Sequence, residues 1–301
     1  MPHADARCGR FAPSPTGPLH FGSLVAAVAS HADARAMQGR WIVRIEDVDE
    51  PRTVPGAADE ILSALARHGF AWDAPPARQS DATARYAAAL ERLRAAGVAY
   101  PCACTRRELV DAPLVDGERV YPGHCRGGIA AQRAARMQRS WRVAVGDATI
   151  DFVDRVQGPQ SQSLRDEVGD FVVLRADGYY AYQLAVVVDD AADGVTEVVR
   201  GADLLGSTAR QILLQRLLGL PTPAYLHVPV AVDANGQKLS KQQGARALRG
   251  DPVAALRDAW AFLGQHAPPV DCRSVAAFWA HAIRAWSPTH VPRVLTRPAP
   301  R

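Results

Sequence analysis

The segment Cys8-Gly9-Arg10-Phe11-Ala12-Pro13-Ser14-Pro15-Thr16-Gly17-Pro18-Leu19-His20-Phe21-Gly22-Ser23 decides the fold. Residues 8–12 read as a short strand, and the proline- and glycine-rich stretch after them reads as a turn. A helix follows from about Gly22 to Met37, with Leu24, Val25, Val28 and Ala29 at helical spacing and Gly39 as its stop. Trp41 to Ile45 then reads as a second strand. Strand, turn, helix, strand is a βαβ unit, so the two strands are expected to be parallel with a right-handed crossover. In such a unit the helix N-terminus, here at His20 to Ser23, is a place for anions. Gly22 lets a ligand approach the backbone closely, and His20 is suited to donate a hydrogen bond to a phosphate oxygen.

Outward from this unit, helical patterns occupy about 55–68 and 81–97. Residues 140–153 and 171–182 look β-like, the latter as a hairpin turning at Asp177-Gly178. Residues 195–200 read as a strand, 203–218 as a helix and 226–232 as a strand that meets the turn signal Asn235-Gly236. Residues 251–285 are mostly helical, and the Pro-rich tail reads as an unstructured end. No repeat at a fixed period is evident. The pattern is α/β at both ends with a less regular middle, as expected of a nucleotide-binding fold split by an insertion between about 100 and 190.

With 301 residues, 48% of them hydrophobic, the chain supports one large domain plus an insertion or a smaller partner. The formal net charge of +4 permits a phosphate-rich partner without demanding one. No apolar run is long enough to span a membrane, and the first residues lack a basic-then-apolar signal, so a cytoplasmic location is the expectation. Arginine supplies nearly all the basic residues. The only lysines, Lys238 and Lys241, sit together in Gly236-Gln237-Lys238-Leu239-Ser240-Lys241-Gln242. A compact ammonium on a flexible stem suits charge that develops late on a phosphate, a role a planar guanidinium fills differently.

Two further clusters carry chemistry. Arg10 and Glu46 fall at or near the ends of the first two predicted strands, and Arg200 ends a later one, before Gly201-Ala202-Asp203. Ligands of open α/β sheets gather at these carboxyl ends. Arg44, Asp47 and Asp49 are also present to make structural ion pairs with them. Five cysteines, three of them clustered as Cys102, Cys104 and Cys125, do not form a secreted disulfide framework. Zinc takes four ligands of thiolate or imidazole type, and His124 is the fourth that chemistry names first. A complete four-ligand shell would be structural. Cys8 and Cys272 read as buried free thiols.

Several motifs in order make a resemblance specific. Arg10 to Gly17 followed by His20-Phe21-Gly22-Ser23 is similar to the HIGH-type signature of class I aminoacyl-tRNA synthetases in its glutamyl form. Arg44-Ile45-Glu46-Asp47 and the KMSKS-type loop Lys238-Leu239-Ser240-Lys241-Gln242 are similar to the same family, over about residues 8–245. Only about 55 residues follow that loop, too few for a sizeable anticodon-binding domain with its own core. With the cysteine cluster, this makes the chain resemble the family's truncated glutamyl-Q branch. Its members activate glutamate without tRNA and attach it to the queuosine base in the anticodon of tRNA(Asp).

The resemblance implies a Rossmann-like α/β nucleotide-binding fold with an inserted zinc-containing subdomain and a C-terminal helical segment. Its expected divisions are 1–100, 101–194, 195–250 and 251–301, the inserted subdomain being the second. It implies a glutamate site of Arg10, Phe11, Ala12, Pro13, Ser14, Glu46, Tyr182 and Arg200. Glu46 takes the ammonium, and Arg10 or Arg200 takes the side-chain carboxylate. His20, Lys238 and Lys241 are the expected catalytic groups, and Gly22, Ser23, Gly201 and Asp203 join His20 and Lys241 around ATP and its Mg²⁺. It implies Tyr121 as fourth ligand of one structural Zn²⁺, through its Cys-x-Cys…Tyr-x₃-Cys spacing, with His124 the alternative. Expected partners are tRNA, glutamate and ATP, with no membrane, and a monomer is expected. Two rival readings are a truncated synthetase that charges a tRNA 3′ end and a non-catalytic zinc-containing tRNA-binding module.

Overall fold

Strand β1 (Cys8–Phe11) runs into the predicted turn, and α1 (Phe21–Ala36) and β2 (Arg40–Ile45) follow. The computed structural model describes residues 7–115, 118–147, 149–239, 248 and 250–300. β1 and β2 pair in parallel, Gly9 opposite Trp41, as the βαβ reading requires. Gly9 is where α1 lies closest to the sheet. A Cβ there would sit 3.0 Å from the Ala34 side chain.

The chain continues through α2 (Ala57–Arg67), β3 (Ala77–Arg78), α3 (Thr83–Ala95) and β4 (Ala99–Cys102). Short strands β5 (Leu114–Val115) and β6 (Glu118–Arg119) and the single turn α4 (Ala131–Ala134) lead to β7 (Ser140–Val143), β8 (Thr149–Asp154), β9 (Gly158–Ser163) and β10 (Phe171–Leu174). Next come α5 (Tyr182–Ala192), β11 (Glu197–Gly201), α6 (Thr208–Leu217), β12 (Ala224–Val228) and β13 (Val230–Val232). Helices α7 (Pro252–Phe262) and α8 (Val275–Ala285) and strand β14 (Thr296–Pro298) complete it.

The main sheet has the order β3-β2-β1-β11-β12-β8-β9. Every neighbouring pair whose register is resolved is parallel except the β8–β9 hairpin. After β1 the chain builds outward through β2 on one side. When it returns with β11 it builds through β12 on the other. The junction between β1 and β11 is therefore a switch point, with its crevice at the carboxyl ends of the strands. A separate sheet, β10-β7-β4, carries the middle of the chain, while β8 and β9 from that same stretch close the far edge of the main sheet.

One hydrophobic core lies between the sheet and α1, α7 and α8, and includes Trp41, Trp260 and Phe278. The other lies on the opposite face around α3, α5 and α6. α1 is packed by the sheet on one side and by α7 and α8 on the other, so its middle is buried all round.

Three readings need correction. The strand expected over 226–232 is two strands, because Pro229 has no N–H for the ladder and the chain breaks there. The helix expected over 203–218 begins with a 3₁₀ stretch, Ala202–Ser207. The Pro-rich tail is ordered: β14 pairs in parallel with β13, Val230 opposite Thr296, and the Ala299 N–H donates to the Val232 carbonyl at 2.9 Å. Its prolines are tolerated because a two-stranded ribbon leaves one edge of each strand without ladder bonds to make. No helix among the described residues is long and apolar enough to cross a membrane.

Candidate active site

The carboxyl ends of β1, β2 and β11 open into a cleft of about 670 Å³. Arg10 to Ser14 line it from the end of β1 and its turn, Glu46 from the end of β2, Tyr182 from the start of α5 and Arg200 from β11. His20, Gly22 and Ser23 line it from the N-terminus of α1. Gly201, Asp203 and Lys238 come from the other half of the chain. The histidine turn and the lysine segment thus face one cavity. A Cβ on Gly22 would lie 3.6 Å from the Leu239 carbonyl oxygen. Lys241, with Ser240 and Gln242, lies outside the described residues.

Local structure explains these placements. His20 is the N-cap of α1, its Nδ1 accepting the Ser23 N–H at 3.3 Å. A neutral imidazole bonded in this way carries its proton on Nε2, which lies 3.0 Å from Ser23 Oγ. Asn235-Gly236 makes the predicted turn. Asp233 Oδ1 accepts the N–H groups of Asn235 and Gln237, and Gly236 takes φ +75°. That turn folds Lys238 back against Val232, and its Nζ meets Asp203 Oδ2 at 2.5 Å.

The two ends of the cleft have opposite charge. At one end Arg10 Nε donates to Asp190 at 3.2 Å, and Arg44 donates to Asp190 at 2.5 Å and to Asp193 at 2.7 Å. Glu46 and Asp189 lie 3.6 and 3.9 Å from the same Arg44 guanidinium. Carboxylates outnumber cations there. Burial pushes the Glu46 carboxyl up to about 7, against the pull of Arg44 and Arg10. Its Oε1 is buried with no hydrogen-bond partner among the described residues, which is a cost unless a ligand supplies a donor.

At the other end Arg200 is buried, and its described partners are neutral: His227 Nε2 at 2.9 Å, Gln211 Oε1 at 2.8 Å, Thr208 Oγ1 at 2.9 Å and Tyr182 OH at 3.3 Å. No ion pair to Arg200 occurs among the described residues. Such a site accepts a carboxylate, while the Glu46 end accepts an ammonium.

Of the ion-pair partners weighed from sequence, only Arg44 joins Glu46. Asp47 accepts from Ser80, and Asp49 pairs with Arg52 and Arg175 at the rim. Sequence reading missed Asp190, Asp154 and His227. Their ionisable side-chain partners lie 27 to 180 residues away, and no spacing rule links them.

In the middle of the chain Cys102, Cys104 and Cys125 place their sulfurs within 4.8 Å of one another, and none forms a disulfide. The Tyr121 hydroxyl lies 3.3 Å from Cys102 Sγ and 3.5 Å from Cys104 Sγ, and Cys104 and Cys125 sulfurs are 3.6 Å apart. A tetrahedron with zinc–sulfur bonds of about 2.3 Å has sulfur–sulfur edges of about 3.8 Å and sulfur–oxygen edges of about 3.5 Å. The donor set therefore fits such an ion. The His124 ring stands edge-on to Tyr121 at 5.9 Å and is not part of the cluster. Gly169, at φ +68°, pairs with Tyr121, and a Cβ there would fall 2.4 Å from the Tyr121 nitrogen, so only glycine lets this backbone seat the tyrosine.

Residues 8–259 match the model of the tRNA synthetases class I (E and Q), catalytic domain. The chain belongs to this family. As a class I synthetase it is a ligase with the mixed α/β, parallel-sheet fold of that class. It is 59% identical, over 97% of its length and 92% of the relative's, to the glutamyl-Q tRNA(Asp) synthetase of Aromatoleum aromaticum. The protein of that name from Burkholderia cenocepacia is 61% identical over 95% of this chain and 97% of its own. Among solved structures, a glutamate tRNA ligase from Elizabethkingia meningosepticum, crystallised with its amino acid, superposes with a TM-score of 0.79 at 25% identity. The match covers 98% of this chain and 67% of that one. Within the family, then, the chain matches the glutamyl-Q relatives over nearly their whole length and is shorter than the full ligase.

Proposed function

We propose that the cleft binds glutamate beside ATP with Mg²⁺, forms glutamyl-adenylate without tRNA, and passes the glutamyl group to the queuosine base of tRNA(Asp). One observation carries the reading: opposite charges at the two ends of one cleft, carboxylate-rich at Glu46 and an unneutralised guanidinium at Arg200, beside the His20 helix terminus and Lys238. This polarity matches a zwitterion with a second carboxylate. Glu46 takes the ammonium, and Arg200 takes the side-chain carboxylate. Arg10, already engaged by Asp190, helps Phe11 to Ser14 and Tyr182 shape the pocket.

The α-carboxylate then attacks the α-phosphorus of ATP and pyrophosphate leaves. No protein nucleophile is needed, and the side chains supply position and charge. His20, Lys238 and Lys241 stabilise charge on the phosphates, with Gly22, Ser23, Gly201 and Asp203 around the nucleotide. In the second step a hydroxyl of the acceptor attacks the activated carbonyl and AMP leaves. Residues 1–100 and 195–250 are then the two halves of the nucleotide-binding domain, 101–194 the insertion that carries the acceptor-binding subdomain and returns β8, β9 and α5 to the main sheet, and 251–301 the helical segment. Cys102, Cys104, Tyr121 and Cys125 would hold Zn²⁺, which supplies cross-linking of a loop-rich segment with little core of its own.

The test is ATP–pyrophosphate exchange without tRNA, run with glutamate, glutamine and aspartate. Exchange with glutamate alone is the expected result. Exchange that appears only on adding tRNA removes the tRNA-independent step, and none at all in folded, zinc-loaded protein favours a non-catalytic module. Transfer of labelled glutamate to tRNA(Asp) bearing queuosine, and not to unmodified tRNA(Asp) or tRNA(Glu), separates this reading from a synthetase that charges a 3′ end.

A further inference from the structure

Arg200 is held from behind by a chain of buried side chains from three neighbouring strands. His227 of β12 stands opposite Arg200 of β11, and Asp154 of β8 stands opposite Tyr225 of β12. Asp154 Oδ2 lies 2.7 Å from His227 Nδ1, and His227 Nε2 lies 2.9 Å from Arg200 Nε. Both His227 and Asp154 are almost wholly buried. Asp154 Oδ1 also accepts the N–H groups of Val156, Gln157 and His227.

This geometry has one consistent proton arrangement. Arg200 Nε only donates, so His227 Nε2 must accept, and the imidazole proton is on Nδ1, donated to Asp154. Burial pushes the His227 imidazole down to about 4, so the ring is neutral near pH 7. A carboxylate in direct contact with Arg200 would fix it equally well but would cancel the charge a ligand carboxylate needs. An imidazole between the two orients the guanidinium and leaves that charge uncompensated.

We propose that His227 and Asp154 are positioning residues that set the orientation of Arg200 and thereby the preference for glutamate over glutamine. This rests on the reading of Arg200 as the anchor for the side-chain carboxylate.

Asp154→Asn is the sharpest variant. The amide keeps Oδ1 for the three backbone donors but replaces Oδ2 with a donor. The imidazole proton is forced onto Nε2, where it faces Arg200 Nε–H. In glutamate-dependent pyrophosphate exchange, KM for glutamate is expected to rise about tenfold to a hundredfold, with KM for ATP within about twofold. The glutamate-to-glutamine ratio of kcat/KM should fall by a similar factor, and ¹⁵N spectra of the ring should show the tautomer inverted.

His227→Gln and His227→Asn give an independent arm. The glutamine amide oxygen reaches the place of Nε2 and should preserve selectivity, while asparagine reaches only the place of Nδ1 and should lose it. Asparagine and glutamine variants that both keep parental selectivity would overturn the proposal. So would KM values for glutamate and ATP that rise together, which marks a purely structural network. Absence of glutamate-dependent exchange in the parent protein would count against the proposed function instead.

Discussion

Two arginines stand on adjacent strands at the switch point of the sheet, and they have opposite surroundings. Arg10 on β1 is met by Asp190, and Arg44 beside it by Asp190 and Asp193. Arg200 on β11 is met by an imidazole, an amide, a phenol and a hydroxyl. In the sequence either arginine serves equally well for a ligand carboxylate. The difference shows that in a buried site the residue type matters less than whether its charge is already neutralised. Arg10 belongs to a satisfied network that lines the pocket, and Arg200 carries a charge that its described partners do not neutralise.

The comparison breaks most visibly at Arg200. Arg200→Ala should cost on the order of a thousandfold in kcat/KM for glutamate exchange because it removes the anchor, while the neutral buried groups it leaves without a donor should lower unfolding free energy by only about 1–3 kcal/mol. An equal loss of activity at Arg10→Ala, with an equal fall in stability, would erase the distinction between the two.

Asp190→Asn should do the reverse. It leaves two buried guanidinium groups short of an anion, so a loss of about 3–5 kcal/mol in unfolding free energy is expected by denaturant titration. Burial opposes ionisation of Asp190, but Arg10 and Arg44 outweigh it and hold its carboxyl below the usual range. The stability it contributes is therefore present at neutral pH and is lost as pH falls through that lowered value.

Glu46 gives the smallest and most diagnostic effect. With its carboxyl near 7, it is mostly neutral at pH 6 and ionised at pH 8. KM for glutamate should fall about tenfold across that interval, and Glu46→Gln should abolish the dependence. The stability sign is opposite to that of Asp190. A raised carboxyl stabilises the fold fully only below its unfolded value of about 4.3 and loses that contribution as pH rises through 7. Glu46→Gln should accordingly melt no lower than the parent at pH 8.

The βαβ opening, the helix N-terminus at His20 to Ser23, the positions of Arg10 and Glu46 and the Asn235-Gly236 turn were legible because each depends on residues within about a turn of helix or strand. Asp190, Asp154 and His227 were not, because Asp190 acquires its meaning only when α5 packs against β1 and β2, and Asp154 and His227 only when β8, β11 and β12 lie side by side. β8 is the clearest case. Its alternating pattern is plain, yet nothing local states that it joins the main sheet rather than β7 and β10. The tail misled for the opposite reason: proline signals disorder in isolation but is accommodated at the edge of a two-stranded ribbon.

That ribbon has a mechanical consequence. Val230–Val232 is gripped by Thr296–Pro298, and its far side turns directly into the hairpin that carries Lys238. The strand that leads into the lysine hairpin is thus clamped by a segment more than fifty residues later in the chain that itself contributes nothing to the cavity wall. Displacement of that remote stretch would therefore be felt where the Lys238 ammonium enters the cleft.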